Sequence, residues 1–352
     1  MRVKLEKRVQ ISKYEIIAVR IASIVLALLS IGLLFIVSGI DPFYAYSVIL
    51  SGVFGSTFGI SEVIVKSIPI GLCSLGLSLA YTAKVWNIGS DGQLIMGAIF
   101  ATWVALFSNF PQVLILPSMF LAGFIGGLVW ATVPAFLKSK YNVNEVIVTL
   151  MMNYISLNLL DYLLSGPWRG HGVFNYPITD EFPKFARLPS IPGTRIHYPT
   201  LILLILLTFL ILFVMNRTKF GLEIKAMGDN LEAARISGID TFKNSLIVMM
   251  ISGGLAGIAG VGEAAGIQYR LIRNISPGYG YSAIIPAWIG GFNPVVVLVA
   301  SLFVSALFVG GNIAKVSLGL SYGLINVFNG VILIFLISSE YLVGYRVRIE
   351  WT

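Results

Sequence analysis

A chain of 352 residues that is 57% hydrophobic and only 11% charged cannot coat a water-exposed surface of its own size, since soluble domains carry about 25% charged residues. That balance leaves no room for a separate soluble domain. The net charge of +8 reads as lysine and arginine retained in cytoplasmic loops, not as a nucleic-acid footprint. Cys73, the one cysteine, lies inside an apolar run, which excludes a disulfide framework and a cysteine-based metal site.

At about 20 apolar residues per helical crossing, the expected fold is an all-α polytopic bundle of roughly ten spans, one transmembrane domain over 1–352. The basic segment 1–15 (Arg2, Lys4, Lys7, Arg8, Lys13) precedes the apolar stretch Ile16–Ile40. Secretory h-regions run about 7 to 15 residues, so this longer stretch is a first membrane helix with its N-terminus inside. Further apolar windows follow near Glu62–Ala83, Gln93–Ser108, Val113–Leu137, Val146–Leu164, Thr200–Met215, Asn244–Ile267, Tyr281–Gly290, Val295–Asn312 and Leu320–Ser338. Threading them from a cytoplasmic start puts Lys84, Lys138, Lys140, the loop 216–243 and the tail 340–352 on the inner side. The threading predicts a multi-pass cell-membrane protein with both termini cytoplasmic.

Between the second and third windows, Trp86, Asn87 and Gln93 flank Gly89 and Gly92, which permit an unwound backbone. A substrate-path gate and a tight turn that caps two helices both fit. Glu145, Thr149 and Asn153 recur at i, i+4 and i+8 along one stripe of the fifth window, with Asp161 two turns further on. Such a stripe would suit a neutral polyhydroxylated ligand facing a cavity; it would equally serve helix-to-helix hydrogen bonding, at roughly 0.6 kcal/mol per contact. Segment 165–198 holds Arg169, Lys184, Arg187 and Arg195, yet the threading places it outside. Five prolines within it, Pro167 to Pro192, and Pro199 just after it make it an ordered, non-helical external loop that also holds His171 and His197.

In the loop 216–243, Asp229 or Asn230 can cap a short amphipathic helix, with Glu232 in its first turn, Ala233, Ala234 and Arg235 within it, and Gly238 ending it. A capped connector and a helix that docks into a partner's groove share that pattern. The seventh window carries small-xxx-small pairs, Gly253 with Gly257 and Gly262 with Gly266, that let backbones approach closely. Glu263 in the same window is an intramembrane carboxylate and hence a candidate functional group. For Tyr281–Gly290, with Pro286 inside it and Gly290, Gly291, Asn293 and Pro294 after it, a broken helix near Tyr281–Pro294 that walls a translocation path and an ordinary tight turn between two tilted helices both fit. Irregular backbone at that depth persists only where protein or a water-filled cavity satisfies it.

Several of these segments resemble the membrane permeases of ATP-binding-cassette importers of the ribose, nucleoside and branched-chain amino acid type. The family's G-x-N-x-x-A-A-R-x-x-G-I segment stands here as Gly228, Asn230, Ala233, Ala234, Arg235, Gly238 and Ile239. WNIGSDGQLIMGA, from Trp86 to Ala98, is similar to a second family pattern in which Phe usually takes the place of Trp86. NEVIVTLMMNYI (Asn144 to Ile155) and Gly278 to Gly311 look like the nucleoside branch. The resemblance implies that Gly228 to Gly238, with Glu232, form a coupling helix seated on an ATPase. It also implies alternating access, a substrate that is most often a nucleoside and alternatively a simple sugar, a second and different permease chain, and an extracytoplasmic substrate-binding lipoprotein. No G-x-x-x-x-G-K-[ST] phosphate loop is present, so ATP and Mg²⁺ are expected on the partner ATPase, with no cofactor and no catalysis on this chain. A gradient-driven transporter using Glu145, Asp161 or Glu263 is the rival reading. An intramembrane zinc enzyme is disfavoured because no H-E-x-x-H pair occurs.

Overall fold

The computed structural model describes residues 2–7, 13–171, 176–321 and 345–350, with positions 323, 324, 327, 330, 331, 334, 335 and 338. The expected all-α bundle is present: α1 (Lys13–Val37), α2 (Pro42–Phe54), α3 (Thr57–Thr82), α4 (Ser90–Phe107), α5 (Gln112–Tyr141), α6 (Glu145–Ser165), α7 (Tyr198–Arg217), α8 (Lys219–Asp229), α9 (Leu231–Ile236), α10 (Thr241–Gly262), α11 (Tyr279–Ser282), α12 (Ile284–Ile289) and α13 (Pro294–Leu318). A two-stranded antiparallel ribbon adds to it, β1 (Arg2–Lys7) against β2 (Tyr345–Glu350). Val3 faces Ile349 and Leu5 faces Val347 across the ribbon, between charged neighbours. Both strands alternate apolar with charged residues, the period of a half-covered strand.

Among the described residues, seven helices are long and apolar enough to cross a membrane, or eight if the bent pair Val25–Val37 and Pro42–Phe54 counts as one span. Among the described residues that is fewer than the expected ten. The window Tyr281–Gly290 consists of the short helices α11 and α12, and Leu320–Ser338 lies partly outside the described residues. The expected break is present: Gly291 and Phe292 both take positive φ, 54° and 63°, before α13 starts at Pro294. α2 was not anticipated, although Asp41 accepts a hydrogen bond from the Tyr44 backbone N–H at 2.9 Å and Pro42 opens the helix. That pairing is a standard start signal.

The chain divides into two units, 1–60 with 306–352, and 61–305. In the first, the Tyr46 hydroxyl donates to the Leu28 carbonyl, and the Phe35 and Tyr46 rings meet edge to face at 5.7 Å. In the second, protein encloses 89%, 78% and 78% of the spans in α3, α4 and α10, but only 28%, 22% and 28% of those in α5, α6 and α7. α3, α4 and α10 are therefore the interior, and the other three display most of their surface. Glycines bring α4, α5 and α10 together. A Cβ on Gly97 would lie 2.3 Å from the Gly257 Cα, and one on Gly127 would lie 2.0 Å from the Gly253 carbonyl. Without a strong hydrophobic force between helices in lipid, such close backbone packing supplies the association.

Candidate functional site

Two features of the larger unit combine into a candidate site: a groove at one end of the bundle and a buried polar network running inward from it. At the end, Asn230 closes α8 and caps α9, its Oδ1 accepting from the backbone N–H groups of Glu232 at 3.0 Å and Ala233 at 3.1 Å. Asn230 rather than Asp229, which is the last residue of α8, is thus the cap. Gly238, at φ +80°, stops α9 with its N–H on the Arg235 carbonyl. α9 and the following turn border a groove of about 470 Å³ whose other wall is the end of α5, with Lys138, Lys140 and Asn142. Leu231, Glu232 and Arg235 line it from α9, and Thr241, Phe242 and Ser245 from α10.

Arg235 is half-exposed, donating to Thr241 Oγ1 at 3.2 Å and to Glu232 Oε1 at 3.3 Å. Ala234 is buried, whereas Ile236 is 87% exposed. The sequence reading missed Ile236, although an isoleucine at the end of a capped polar helix is the signal that finds it. It also missed α8, whose start is marked by Thr218 Oγ1 accepting from the Gly221 N–H at 3.1 Å. α8 packs so closely on the end of α3 that a Cβ on Gly228 would stand 2.0 Å from the Thr82 carbonyl. The motif glycine is therefore a packing residue that joins the groove to the span interior.

Inside, residues 83–89 run non-helically between α3 and α4, with Lys84 at φ 54°. Most of this segment is buried, so its polar backbone needs partners, and the stripe on α6 supplies them. Glu145 accepts from the Trp86 N–H at 3.2 Å and pairs with Lys138; Thr149 Oγ1 accepts from the Ile88 N–H at 3.3 Å. Asn153 accepts from the Gly92 N–H at 2.8 Å and donates to the Ile88 carbonyl at 2.9 Å and to the Tyr281 hydroxyl at 2.8 Å. Asn87 and Gln93 exchange hydrogen bonds at 2.9 and 3.1 Å, and Asn87 also donates to Ser252 at 2.9 Å. Gly92 does not unwind the chain as expected. It sits inside α4, where a Cβ would come within 2.7 Å of Asn153 Oδ1. Removing this clamp should be costly: Asn153→Ala should lower stability by about 1–3 kcal/mol, the cost of a buried donor left unpaired. Thermal unfolding of the purified chain in detergent measures it, and an unchanged midpoint would deny the clamp.

Trp86 stacks on Trp288 at 5.7 Å and 4° beside Tyr81 and Phe292, so α12 closes over the same segment. Asp161 does not join the network; it is part-exposed and pairs with Arg273 at 2.8 Å. Glu263 begins a π-turn, 263–268, that extends α10. Its Oε1 is buried with no hydrogen-bond partner, and Lys66, Arg195 and Glu62 are its charged neighbours. Lys66 donates to the Tyr279 hydroxyl. The two histidines separate: His171 is exposed and pairs with Asp180 at 2.8 Å, while His197 is buried against Gly262 and Gly266.

Comparison with known proteins finds similarity along most of the sequence. Residues 59–337 match the family model described as branched-chain amino acid transport system / permease component. The chain is 36% identical to the glucose ABC transporter permease protein TsgB13 of Haloferax volcanii, over 93% of this chain and 89% of that protein. It is 29% identical to the guanosine ABC transporter permease protein NupP of Bacillus subtilis, over 91% and 93%. It is 27% identical to the nucleoside ABC transporter permease protein NupB of Lactococcus lactis subsp. cremoris, over 84% of each. With the family model covering most of its length and its apolar helices long enough to span a bilayer, the chain belongs to this family of multi-pass membrane transport permeases.

Proposed function

We propose that this chain is one of two permease subunits of an ATP-binding-cassette importer that moves nucleosides inward by alternating access. The carrying observation is the capped helix α9 with its groove, a docking surface built on the end of the bundle. That end holds Lys84, Lys138, Lys140, Lys219, Lys225 and Lys243, which the positive-inside bias assigns to the cytoplasm together with both termini. The occupant of the groove is then a separate ATPase carrying ATP and Mg²⁺. Its closure would push α9 and, through the Gly228–Thr82 contact, α3. A substrate-binding lipoprotein would deliver solute on the opposite side, and a related but different permease would complete the path.

Asn87, Gln93, Glu145, Thr149 and Asn153 serve this reading by holding the segment 86–92 in place, and Trp86 by closing it against Trp288. Glu263, buried and without a hydrogen-bond partner for Oε1, remains the candidate for an ion- or proton-linked step. Relatives named for guanosine and nucleosides favour a nucleoside; a sugar is the second reading, favoured by the 36% identity to a permease named for glucose. Uptake of radiolabelled guanosine, adenosine, glucose and ribose into vesicles rebuilt with the partner chains separates them. Guanosine uptake that needs ATP supports the first reading, and glucose or ribose uptake that needs ATP the second. Uptake that ignores ATP and follows a proton gradient would overturn both.

A further inference from the structure

Outside the segment that the family model matches, 59–337, the chain pairs its first and last described segments in the ribbon of β1 and β2. The register pairs sort into two faces, because strand residues alternate sides. One face carries Val3 with Ile349, Leu5 with Val347 and, at its end, Lys7 with Tyr345; the other carries Arg2 with Glu350, Lys4 with Arg348 and Glu6 with Arg346. On that second face opposite charges meet at both outer pairs. The central pair, Lys4 with Arg348, sets like charges directly opposite, which destabilises a ribbon unless something neutralises them. In all, Arg2, Lys4, Lys7, Arg346 and Arg348 against Glu6 and Glu350 leave a charge of +3. Two strands alone are marginal in water and need their apolar face covered, and among the described elements β1 and β2 pack chiefly on each other. Five residues separate Lys7 from Lys13, where α1 starts, which keeps the ribbon within about 22 Å of the first apolar helix.

We propose that this ribbon is a membrane-surface element that binds anionic lipid headgroups of the inner leaflet. Its apolar face, with Val3, Leu5, Val347 and Ile349, rests at the boundary of headgroups and acyl chains, the depth of about 5–10 Å at which amphipathic interfacial segments lie. The strands then run at headgroup level, and lipid phosphates neutralise the Lys4–Arg348 pair. Basic segments beside a span are drawn to an anionic leaflet within a Debye length, about 8 Å at physiological salt. A bilayer thus supplies both things the ribbon lacks, a cover for its apolar face and a counter-charge. An acidic protein surface would supply the second without the first, and the short link to α1 keeps the ribbon at the bilayer whether or not a partner is bound. The inference rests on the cytoplasmic placement of both termini in the preceding section.

The test places a bimane dye on Val347→Cys, on the apolar face, and separately on Arg346→Cys, on the other face, in the full chain rebuilt into vesicles. Native Cys73 is buried and stays in place, with the unsubstituted chain labelled in parallel as background. The vesicles are phosphatidylcholine with or without phosphatidylglycerol, each carrying a lipid with a nitroxide high on its acyl chain. Quenching at Val347→Cys should be about threefold stronger with phosphatidylglycerol than without it and stronger than at Arg346→Cys. It should fall severalfold in molar salt, where the Debye length is about 3 Å. Lys4→Glu with Arg348→Glu should remove the dependence on phosphatidylglycerol; the reversed residues are again like charges at opposite positions, so the ribbon itself is left no less stable. Cross-linking of Val3→Cys to Ile349→Cys by a short bifunctional thiol reagent reports separately that the ribbon forms. Equal quenching in the two lipids overturns the proposal, as does a cross-linked ribbon whose dye no lipid quenches, or a failure to cross-link in the anionic vesicles. A dye that responds to added ATPase and not to lipid would make the ATPase the occupant and overturn it too. Labelling of Arg346→Cys by an impermeant reagent outside intact cells would instead overturn the cytoplasmic placement, so the two failures are distinct.

Discussion

Replacing Gly257 with valine is expected to leave the membrane nearly devoid of correctly folded chain. Gly257 sits where α10 crosses both α4 and α5: a Cβ built on it lies 2.0 Å from the Gly123 carbonyl oxygen and 3.2 Å from the Gly127 backbone nitrogen. Gly97 meets the same residue from α4, its own Cβ position 2.3 Å from the Gly257 Cα. Backbone atoms on two sides cannot rotate away as a flexible side chain could, so the added methyls must push whole helices apart. Overpacking of an ordinary core costs about 1–3 kcal/mol, and a clash with main chain at this distance belongs at or above the top of that range. Native membrane domains are stable by only about 5–15 kcal/mol, and separating these helices also breaks the Asn87–Ser252 hydrogen bond between the α3–α4 segment and α10. The amount of chain recovered in monodisperse form from detergent, measured against the parent, should fall at least tenfold. Gly238→Ala offers a contrast, because no atom lies within 4 Å of a Cβ there; only its positive φ is strained, at about 1 kcal/mol. Equal recovery of Gly257→Val and parent would show that the three-helix contact is looser than the geometry states.

The glycines on α10 were legible as small-xxx-small pairs, but their partners Gly97, Gly123 and Gly127 were not, because a close approach is a property of two helices and periodicity reports on one. The same limit applies to α6. Spacing places Glu145, Thr149 and Asn153 on a common stripe, and the structure keeps them there; what the stripe meets is the backbone of residues 86–92, more than 50 positions away in sequence, whose need for partners follows from the non-helical run 83–89 and from the open N–H groups of the first turn of α4. Asp161 was read with that stripe and lies on the far side of the helix, because each step of four residues advances about 40° around it and sixteen residues carry Asp161 about 160° from Glu145. Local signals fared better. Asn230, Gly238 and the break before Pro294 were all visible, since caps and positive-φ turns are decided by a few adjacent residues. α8 was overlooked because its apolar content is low and its buried positions, Gly221, Ile224, Met227 and Gly228, include two glycines that no hydropathy pattern marks.

Charge reversal at the groove is the second large effect expected, and it should be functional without being structural. In the chain alone, Arg235 makes an exposed pair with Glu232 at 3.3 Å and one hydrogen bond to Thr241 at 3.2 Å; exposed pairs of this kind contribute about 0.2–1 kcal/mol. Ile236, 87% exposed, contributes little to folding for the same reason. Arg235→Glu and Ile236→Glu should therefore leave the thermal midpoint of the purified chain within about 2 °C of the parent, because 1 kcal/mol corresponds to roughly 2–4 °C in chains of this size. Against a docked ATPase the balance differs. Arginine and large apolar side chains enclosed at the centre of an interface commonly account for about 2 kcal/mol or more each, and reversing the arginine places a carboxylate where a partner's acidic group would face it. A loss of about 2–3 kcal/mol is a roughly 30- to 150-fold weaker complex. Co-purification of the ATPase with Arg235→Glu should drop accordingly, and ATP-dependent uptake should fall at least tenfold at unchanged levels of membrane-inserted chain. Normal uptake by both variants would mean that α9 is a connector between spans and that ATPase motion enters the bundle elsewhere.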